Sequence, residues 1–132
     1  MQMRRHTFKK EERLKSRKII SELFESGNII HSYPFKVLFK YSNTENFINP
    51  AQFATSVSKK NYKKAVDRNR IKRKIREAYR LNKHLLYEIL NQNNQKLYLF
   101  VIYTAGQDLD YEIIEKGLKI VFQNLDNKTT NN

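Results

Sequence analysis

Apolar and polar residues alternate strictly in two neighbouring stretches near the middle of the chain. In residues 34–41, Phe35, Val37 and Phe39 alternate with lysines and a leucine. Residues 51–58 alternate in the same way, with Ala51 and Phe53 on the apolar side. A period of two places alternate residues on opposite faces of a strand. The pattern predicts two strands with a shared apolar face and a polar, partly basic second face. The intervening loop leaves room for a third short strand at residues 47–49.

Helical spacing of apolar residues predicts three helices. The first covers about residues 17–26, where Ser16 is a capping residue and Gly27 a terminator. The second is long, beginning between residues 61 and 67 and ending near residue 90. A third follows Asp108 or Asp110, either of which is a candidate cap, and extends to Leu125.

The long helix is amphipathic. Its predicted apolar stripe consists of Ile71, Ile75, Ala78, Tyr79, Asn82, Leu85, Leu86 and Ile89. Its predicted basic side consists of Asn69, Lys72, Arg73, Arg76, Arg80 and Lys83.

The order of elements predicts an α/β (α+β) two-layer sandwich, in which about three helices pack on a small mixed sheet. A continuous apolar run at residues 97–104 is typical of a central strand. Residues 1–125 then form one domain, and residues 126–132 form a polar tail that we expect to be disordered.

Basic residues are concentrated in two segments. The net charge is +13. Residues 59–80 hold eleven basic and two acidic residues, and residues 1–18 hold eight and two. Such a field attracts a polyanion. The chain has no cysteine, no long apolar run and no apparent signal peptide, so we expect a cytoplasmic protein.

The run from Arg68 to Arg76 is the strongest candidate binding site. Guanidinium groups bind phosphate oxygens in a fork, and Asn69 can hydrogen-bond a base edge or a sugar hydroxyl. A merely solvated helix face is the alternative, although such faces usually mix both signs of charge.

The polar face of the predicted sheet is a second candidate binding site. Phe24 is either a stacking platform for a base or a core residue.

Candidates for protein-based catalysis are weak. His6, His31 and His84 are scattered, and the three glycines are isolated. Asp108 and Asp110 fit a carboxylate metal site less well than a helix cap. We therefore expect no catalytic residue and no protein-bound metal in this chain.

Several segments resemble the bacterial ribonuclease P protein family. The most specific signal combines Ser58-Lys59-Lys60 at a strand end with Arg68-Asn69-Arg70 at a helix start. The segment from Arg13 to Gly27, the strand at 97–104 and the last amphipathic helix are also similar, so the resemblance covers nearly the whole chain. It implies a left-handed βαβ crossover, whereas general rules favour a right-handed one.

The resemblance also implies a function. The family's protein binds a catalytic RNA and the 5′ leader of precursor tRNA, one protein per RNA, and the complex removes the leader. Water and Mg²⁺ hydrolyse the phosphodiester bond, with the metal held mainly by RNA. The residues expected to bind RNA are Arg68, Asn69, Arg70, Lys72, Arg73, Arg76, Arg80, Lys59 and Lys60. The residues expected in the leader cleft are Phe24, Ile20, Lys36, Leu38, Lys40, Ser56 and Ser58. Many members carry aromatic residues where this chain has Ile20 and Leu38.

Three rival interpretations remain open at this point. A ribosomal or general RNA-binding protein of similar fold would share the basic helix but would not need the Arg-Asn-Arg start. A DNA-binding protein would place the long helix in a major groove, although no helix-turn-helix spacing precedes it. A membrane-surface helix usually carries aromatic partners that this basic face lacks.

Overall fold

The computed structural model describes residues 10–42 and 48–130, and for residues 126–130 only the backbone. The described residues form one 3₁₀ turn, three α-helices and four strands. In chain order these are the turn Lys10–Glu12, α1 (Arg17–Ser26), β1 (Asn28–Ser32), β2 (Phe35–Ser42), β3 (Ala51–Val57), α2 (Ala65–Gln92), β4 (Lys96–Tyr103) and α3 (Tyr111–Thr130).

The strands form one mixed sheet in the order β1-β2-β4-β3. The β1–β2 and β2–β4 pairs are antiparallel, and β3 runs parallel to β4. Since α2 connects β3 to β4, these elements form a βαβ unit. The predicted mixed sheet with three helices is confirmed, and the left hand of the crossover stays an expectation from the resemblance.

One face of the sheet is closed by α2 and α3. Phe53 stacks on Tyr79 with ring centroids 3.9 Å apart, and Phe122 meets Tyr79 edge-on. Complete burial raises the pKa of the Tyr79 hydroxyl well above its ordinary value. The side-chain amide of Asn82 donates to a carboxylate oxygen of Glu115 at 2.9 Å, which ties α2 to α3. This layer is the main hydrophobic core.

The opposite face is covered by α1 and the segment before it. Leu14 and Leu23 pack with Leu38 and Phe100 of the sheet in a second, smaller cluster. The Ser16 hydroxyl accepts the Ile19 N–H at 3.2 Å, so the predicted N-terminal cap is confirmed. The Gly27 N–H donates to the Leu23 carbonyl at 3.0 Å and ends the helix where the sequence predicted.

Strand β1 was not predicted, because it is an edge strand of five residues whose partner β2 is required to define it. The strand predicted at 47–49 is wrong where it can be compared, since residues 48–50 form a bend and Phe47 lies outside the described residues.

Helix α3 extends beyond Leu125 to Thr130, into the segment predicted as a tail. It passes close to the β1–β2 turn: a Cβ on Gly117 would lie 2.7 Å from Cδ of Pro34.

The segment before α1 lies along the free edge of β3. Arg13 forms a parallel bridge with Phe53, and the Leu14 N–H donates to the Phe53 carbonyl at 2.9 Å. Glu12 forms an ion pair with Lys83 of α2 at 2.6 Å. The helical position of Lys83 predicted that it belongs to the basic side of α2. This prediction is wrong, because Lys83 is buried and paired with Glu12.

Candidate nucleic-acid interface

The first basic residue of α2 forms hydrogen bonds with the protein's own backbone. The Arg68 guanidinium donates to the carbonyls of Tyr62 and Lys63, at 2.7 and 2.9 Å, and so holds the loop that leads into the helix. The helix already begins at Ala65, with Lys64 as the capping position. Asn69 consequently lies inside the helix and is not its cap.

Asp108 neutralises two further basic residues of α2. Its carboxylate accepts hydrogen bonds from Arg70 and Lys74, each at 2.8 Å, and Arg70 also pairs with Asp67 at 2.8 Å. Burial opposes ionisation of Asp108, but the hydrogen bonds from Lys74 and Arg70 outweigh it and lower the pKa of this carboxyl. Of the two residues predicted as candidate caps of α3, Asp108 is not a cap, because its carboxylate is turned towards α2. Asp110 directly precedes the helix, and its backbone carbonyl accepts the N–H groups of Ile113 and Ile114.

A groove of about 450 Å³ lies between α2 and the N-terminal segment. It is lined by Arg13, Asn69, Arg73, Arg76, Glu77 and Arg80. The α2 members recur every three or four residues and so share one face of the helix. Arg80 is partly neutralised by Glu77, to which its Nε donates at 3.1 Å. We call this surface the arginine groove.

Like charges crowd the neighbouring helix face. Partial burial, and then the charges of Arg76, Arg68 and Lys59, lower the pKa of Lys72. Lys59 and Lys60 are exposed in the turn after β3, where the Ser58 hydroxyl accepts the Lys60 N–H at 3.2 Å. A bound polyanion would relieve this repulsion, so the surface favours phosphate.

A smaller depression of about 260 Å³ continues the arginine groove towards the sheet. It shares Arg13 and Arg76 with the groove and reaches Ala54 and Thr55 of β3. The basic surface of α2 therefore adjoins the face of the sheet on which α1 lies. We call that face the open face.

Phe24 of α1 stands at the open face with 58% of its surface exposed. Its ring meets Phe100 edge-on, with centroids 5.4 Å apart. Of the two interpretations of Phe24, the core residue is therefore wrong, and the exposed ring is accessible to a nucleobase that stacks on it. Lys36 is half-buried, and the exposed Lys40 lies 3.8 Å from Glu22 of α1.

The remaining cleft residues differ in accessibility. Leu38 is only 3% exposed beneath α1, so it supports the cleft from below and presents no stacking surface. Ile20 is half-buried and packs on the same cluster. Ser56 lies on β3 opposite Ile102, and Ser58 follows the strand, both half-buried.

The sequence analysis missed two parts of these surfaces. Arg13 enters the arginine groove only because the N-terminal segment folds against β3, which no local pattern indicates. The run at 97–104 forms a central strand as predicted, but the prediction did not show that Tyr98, Phe100 and Ile102 face α1. The alternation of these three residues with Leu97, Leu99 and Val101 was the available signal.

Among residues 10–42 and 48–125, whose side chains the structure describes, no group of three or more His, Asp or Glu side chains is arranged to hold a metal ion. In the described part of the chain, no helix is both long and apolar enough to cross a membrane.

Comparison with known proteins decides between an RNA-binding protein in general and a particular family. Residues 8–126 match the family model for ribonuclease P. The chain belongs to the ribonuclease P protein family. The ribonuclease P protein component of Porphyromonas gingivalis is 35% identical over 112 residues, which cover 83% of this chain and 80% of that protein.

Solved structures of ribonuclease P proteins share the fold. The protein from Staphylococcus aureus aligns with a TM-score of 0.66 and 25% identity, covering 86% of this chain and 94% of that one. The protein from Thermotoga maritima aligns with a TM-score of 0.68, covering 86% and 96%, and at 23% identity it supports the fold alone.

Membership of the ribonuclease P family defines the activity. The chain is the protein subunit of the endoribonuclease that matures the 5′ end of tRNA, and its partner is the ribonuclease P RNA. The family match favours this function over a ribosomal or general RNA-binding role.

Proposed function

We propose that the two surfaces divide the work of the subunit. The arginine groove binds backbone phosphates of the ribonuclease P RNA, and the open face holds the single-stranded 5′ leader of precursor tRNA. Because the groove and the open face are adjacent, one protein per RNA is sufficient to contact both ligands. The complex would act in the cytoplasm.

The convergence of Arg13, Arg73 and Arg76 around Asn69 supports the first assignment more than any other observation. Three guanidinium groups on two chain segments can follow successive phosphates, which a point charge on one helix cannot do as well. Asn69 adds an uncharged donor and acceptor suited to a 2′-hydroxyl or a base edge.

The exposed ring of Phe24 supports the second assignment. Single-stranded nucleic acid binds where aromatic rings lie in a positively charged groove. Here Lys36 and Lys40 lie on the same sheet face as Phe100, against which the Phe24 ring rests. The open face is therefore suited to unpaired nucleotides and not to a rigid duplex.

Mg²⁺ is held mainly by the RNA in this proposal. The described surface next to the RNA-binding residues is cationic and repels a divalent cation. The chain's own residues would bind and orient the RNA and the leader, and water and Mg²⁺ would carry out the phosphodiester hydrolysis on the RNA.

A cleavage assay tests the division between protein and RNA. The purified, nuclease-free protein is expected not to cleave precursor tRNA, whereas protein with the ribonuclease P RNA and Mg²⁺ is expected to release a 5′-phosphorylated mature end. Cleavage of comparable efficiency by the protein alone would contradict the proposal.

Salt-titrated binding to the ribonuclease P RNA tests the groove. Arg76→Ala is expected to lower the slope of log affinity against log salt by about 0.7–0.9, the loss of one phosphate contact. Asn69→Ala is expected to lower affinity with the slope unchanged, because the side chain is uncharged. Arg70→Ala is expected to change the slope less, because Asp67 and Asp108 already share its charge. Wild-type slope and affinity in Arg76→Ala would remove the groove from the interface.

A further inference from the structure

We infer that the buried Glu12–Lys83 ion pair positions Arg13 for RNA binding, so that Glu12 is a positioning residue although it carries the charge that RNA repels. This inference rests on the proposed role of the arginine groove. It assigns a function to an acidic residue in a basic N-terminal segment.

The ion pair is buried at both ends. A carboxylate oxygen of Glu12 lies 2.6 Å from Nζ of Lys83, and the two residues are 3% and 8% exposed. The ammonium group also lies 5.9 Å from the ring centroid of Tyr87. Attraction between opposite charges is much stronger in such surroundings than in water. Each charge would be left buried without its partner if the other were removed, so the pair holds the N-terminal segment on α2.

The neighbouring residues carry this constraint to Arg13. Glu12 and Leu14 are both buried, whereas Arg13 between them is exposed. Leu14 is tied to the sheet by its hydrogen bond to Phe53, and Glu12 is tied to α2. The backbone of Arg13 is therefore fixed from both sides.

The position of Lys83 on α2 explains why this constraint concerns the groove. Asn69, Arg73, Arg76 and Arg80 recur at intervals of three or four residues, and Lys83 is the next position on that stripe. The helix face that lines the groove thus ends at the ion pair. Fixing the N-terminal segment at this point sets the distance between Arg13 and the arginines of α2.

The sign of the effect separates positioning from charge. If Glu12 acted only through its negative charge, Glu12→Gln would strengthen RNA binding. Positioning predicts the opposite: about tenfold weaker binding, the size expected for loss of one charged hydrogen-bonding contact, with the salt slope lower by about 0.7–0.9. Glu11→Gln is the matched control, because Glu11 is an exposed neighbour of equal charge. It is expected to leave binding unchanged or slightly tighter.

The experiment is salt-titrated binding of the full chain to the ribonuclease P RNA, at a temperature well below the melting temperature of every variant. Wild-type or tighter binding by Glu12→Gln would overturn the inference. The combination of Glu12→Gln with Arg13→Ala is expected to bind as weakly as Arg13→Ala alone, since Glu12 acts through Arg13. Additive losses would also overturn it.

Two further measurements keep the outcomes distinct. If Arg13→Ala itself binds like the wild type, the groove assignment fails; if Arg13→Ala weakens binding and Glu12→Gln does not, only the positioning role fails. Should Glu12→Gln unfold, the apolar pair Glu12→Leu with Lys83→Met replaces it. This pair is expected to keep the Leu14 amide protected from hydrogen exchange and to bind RNA within about threefold of the wild type, because well-packed apolar residues can replace a buried ion pair. Weak binding with a protected Leu14 amide would count against the inference.

Discussion

The two faces of the sheet differ in how completely helices cover them. The face under α2 and α3 is closed, and the rings of Phe53 and Tyr79 stack there without access to solvent. Among the described residues, the open face is covered only by α1 and the short segment before it, which bury Leu38 but leave Phe24 largely exposed. One sheet thus stabilises the fold on one side and presents an aromatic, basic surface on the other. Incomplete cover is what makes the second face available for binding.

The basic residues of α2 also divide into a structural group and a group that is free to contact a ligand. Arg70 and Lys74 are neutralised by Asp108 and contribute to the internal structure. Arg73 and Arg76 line the arginine groove. Sequence spacing placed all of these residues in one basic run, and their acidic neighbours in space separate them into structural and ligand-binding groups.

The largest expected effect comes from breaking the closed face. Phe53→Ala is expected to lower the free energy of unfolding by about 3–5 kcal/mol, because it removes a buried ring and leaves a cavity against Tyr79. Chemical denaturation monitored by circular dichroism measures this loss. A loss below about 1 kcal/mol would mean that the two faces do not differ in stability as described.

An intermediate effect is expected from the same kind of truncation on the open face. Phe24→Ala is expected to weaken precursor tRNA binding by about 1–3 kcal/mol, the value of one base stacked on an aromatic ring. Mature tRNA, which lacks the leader, should bind as before. The holoenzyme assembled with the ribonuclease P RNA is the sample for both titrations.

Thermal denaturation of Phe24→Ala provides the control. Because the ring is 58% exposed, the melting temperature should fall much less than in Phe53→Ala. Equal binding losses for both tRNAs, together with a large fall in melting temperature, would place Phe24 in the core after all.

The smallest expected effect concerns Asp108. Asp108→Asn is expected to cost about 0.5–1 kcal/mol of stability near neutral pH, since the ion pairs with Arg70 and Lys74 are partly exposed. The pKa of the carboxyl is lowered in the folded state, so its contribution is present above the unfolded-state pKa and disappears as the pH falls through the folded-state pKa. The difference in stability between the variant and the wild type should therefore begin to shrink below about pH 4, near the unfolded-state pKa, and disappear only below the lower folded-state pKa. A difference that persists in strong acid would point to packing and not to charge.

Much of the fold could be predicted because the governing information is local. Periodicity located α1, β2, β3 and α2 within a few residues, since burial of one face imposes a period on the chain. A continuous apolar run located β4. Ser16 and Gly27 marked the ends of α1 because capping involves groups only a few residues apart. Strand β1 escaped because it depends on pairing with β2 and has little pattern of its own.

The candidate site was predictable in composition and less so in arrangement. The charge of residues 59–80 indicated a helix that binds a polyanion, and the family resemblance, carried in part by the Arg-Asn-Arg start, indicated that the polyanion is RNA. Which basic residues of α2 face a ligand depended on Asp108 and Glu12, which are far from α2 in sequence but contact it in space. Ion pairs between distant segments leave no periodic signal.

The sequence by itself determined the periodic elements, the concentration of positive charge and the motif of the family, because each is a property of neighbouring residues. Only the tertiary structure decided that Phe24 is exposed, that Leu38 is covered and that Arg13 joins the α2 arginines. These outcomes depend on how α1 and the N-terminal segment pack on the sheet. Exposure is a property of the assembled layers, and a residue's own chemistry does not specify which neighbour will cover it.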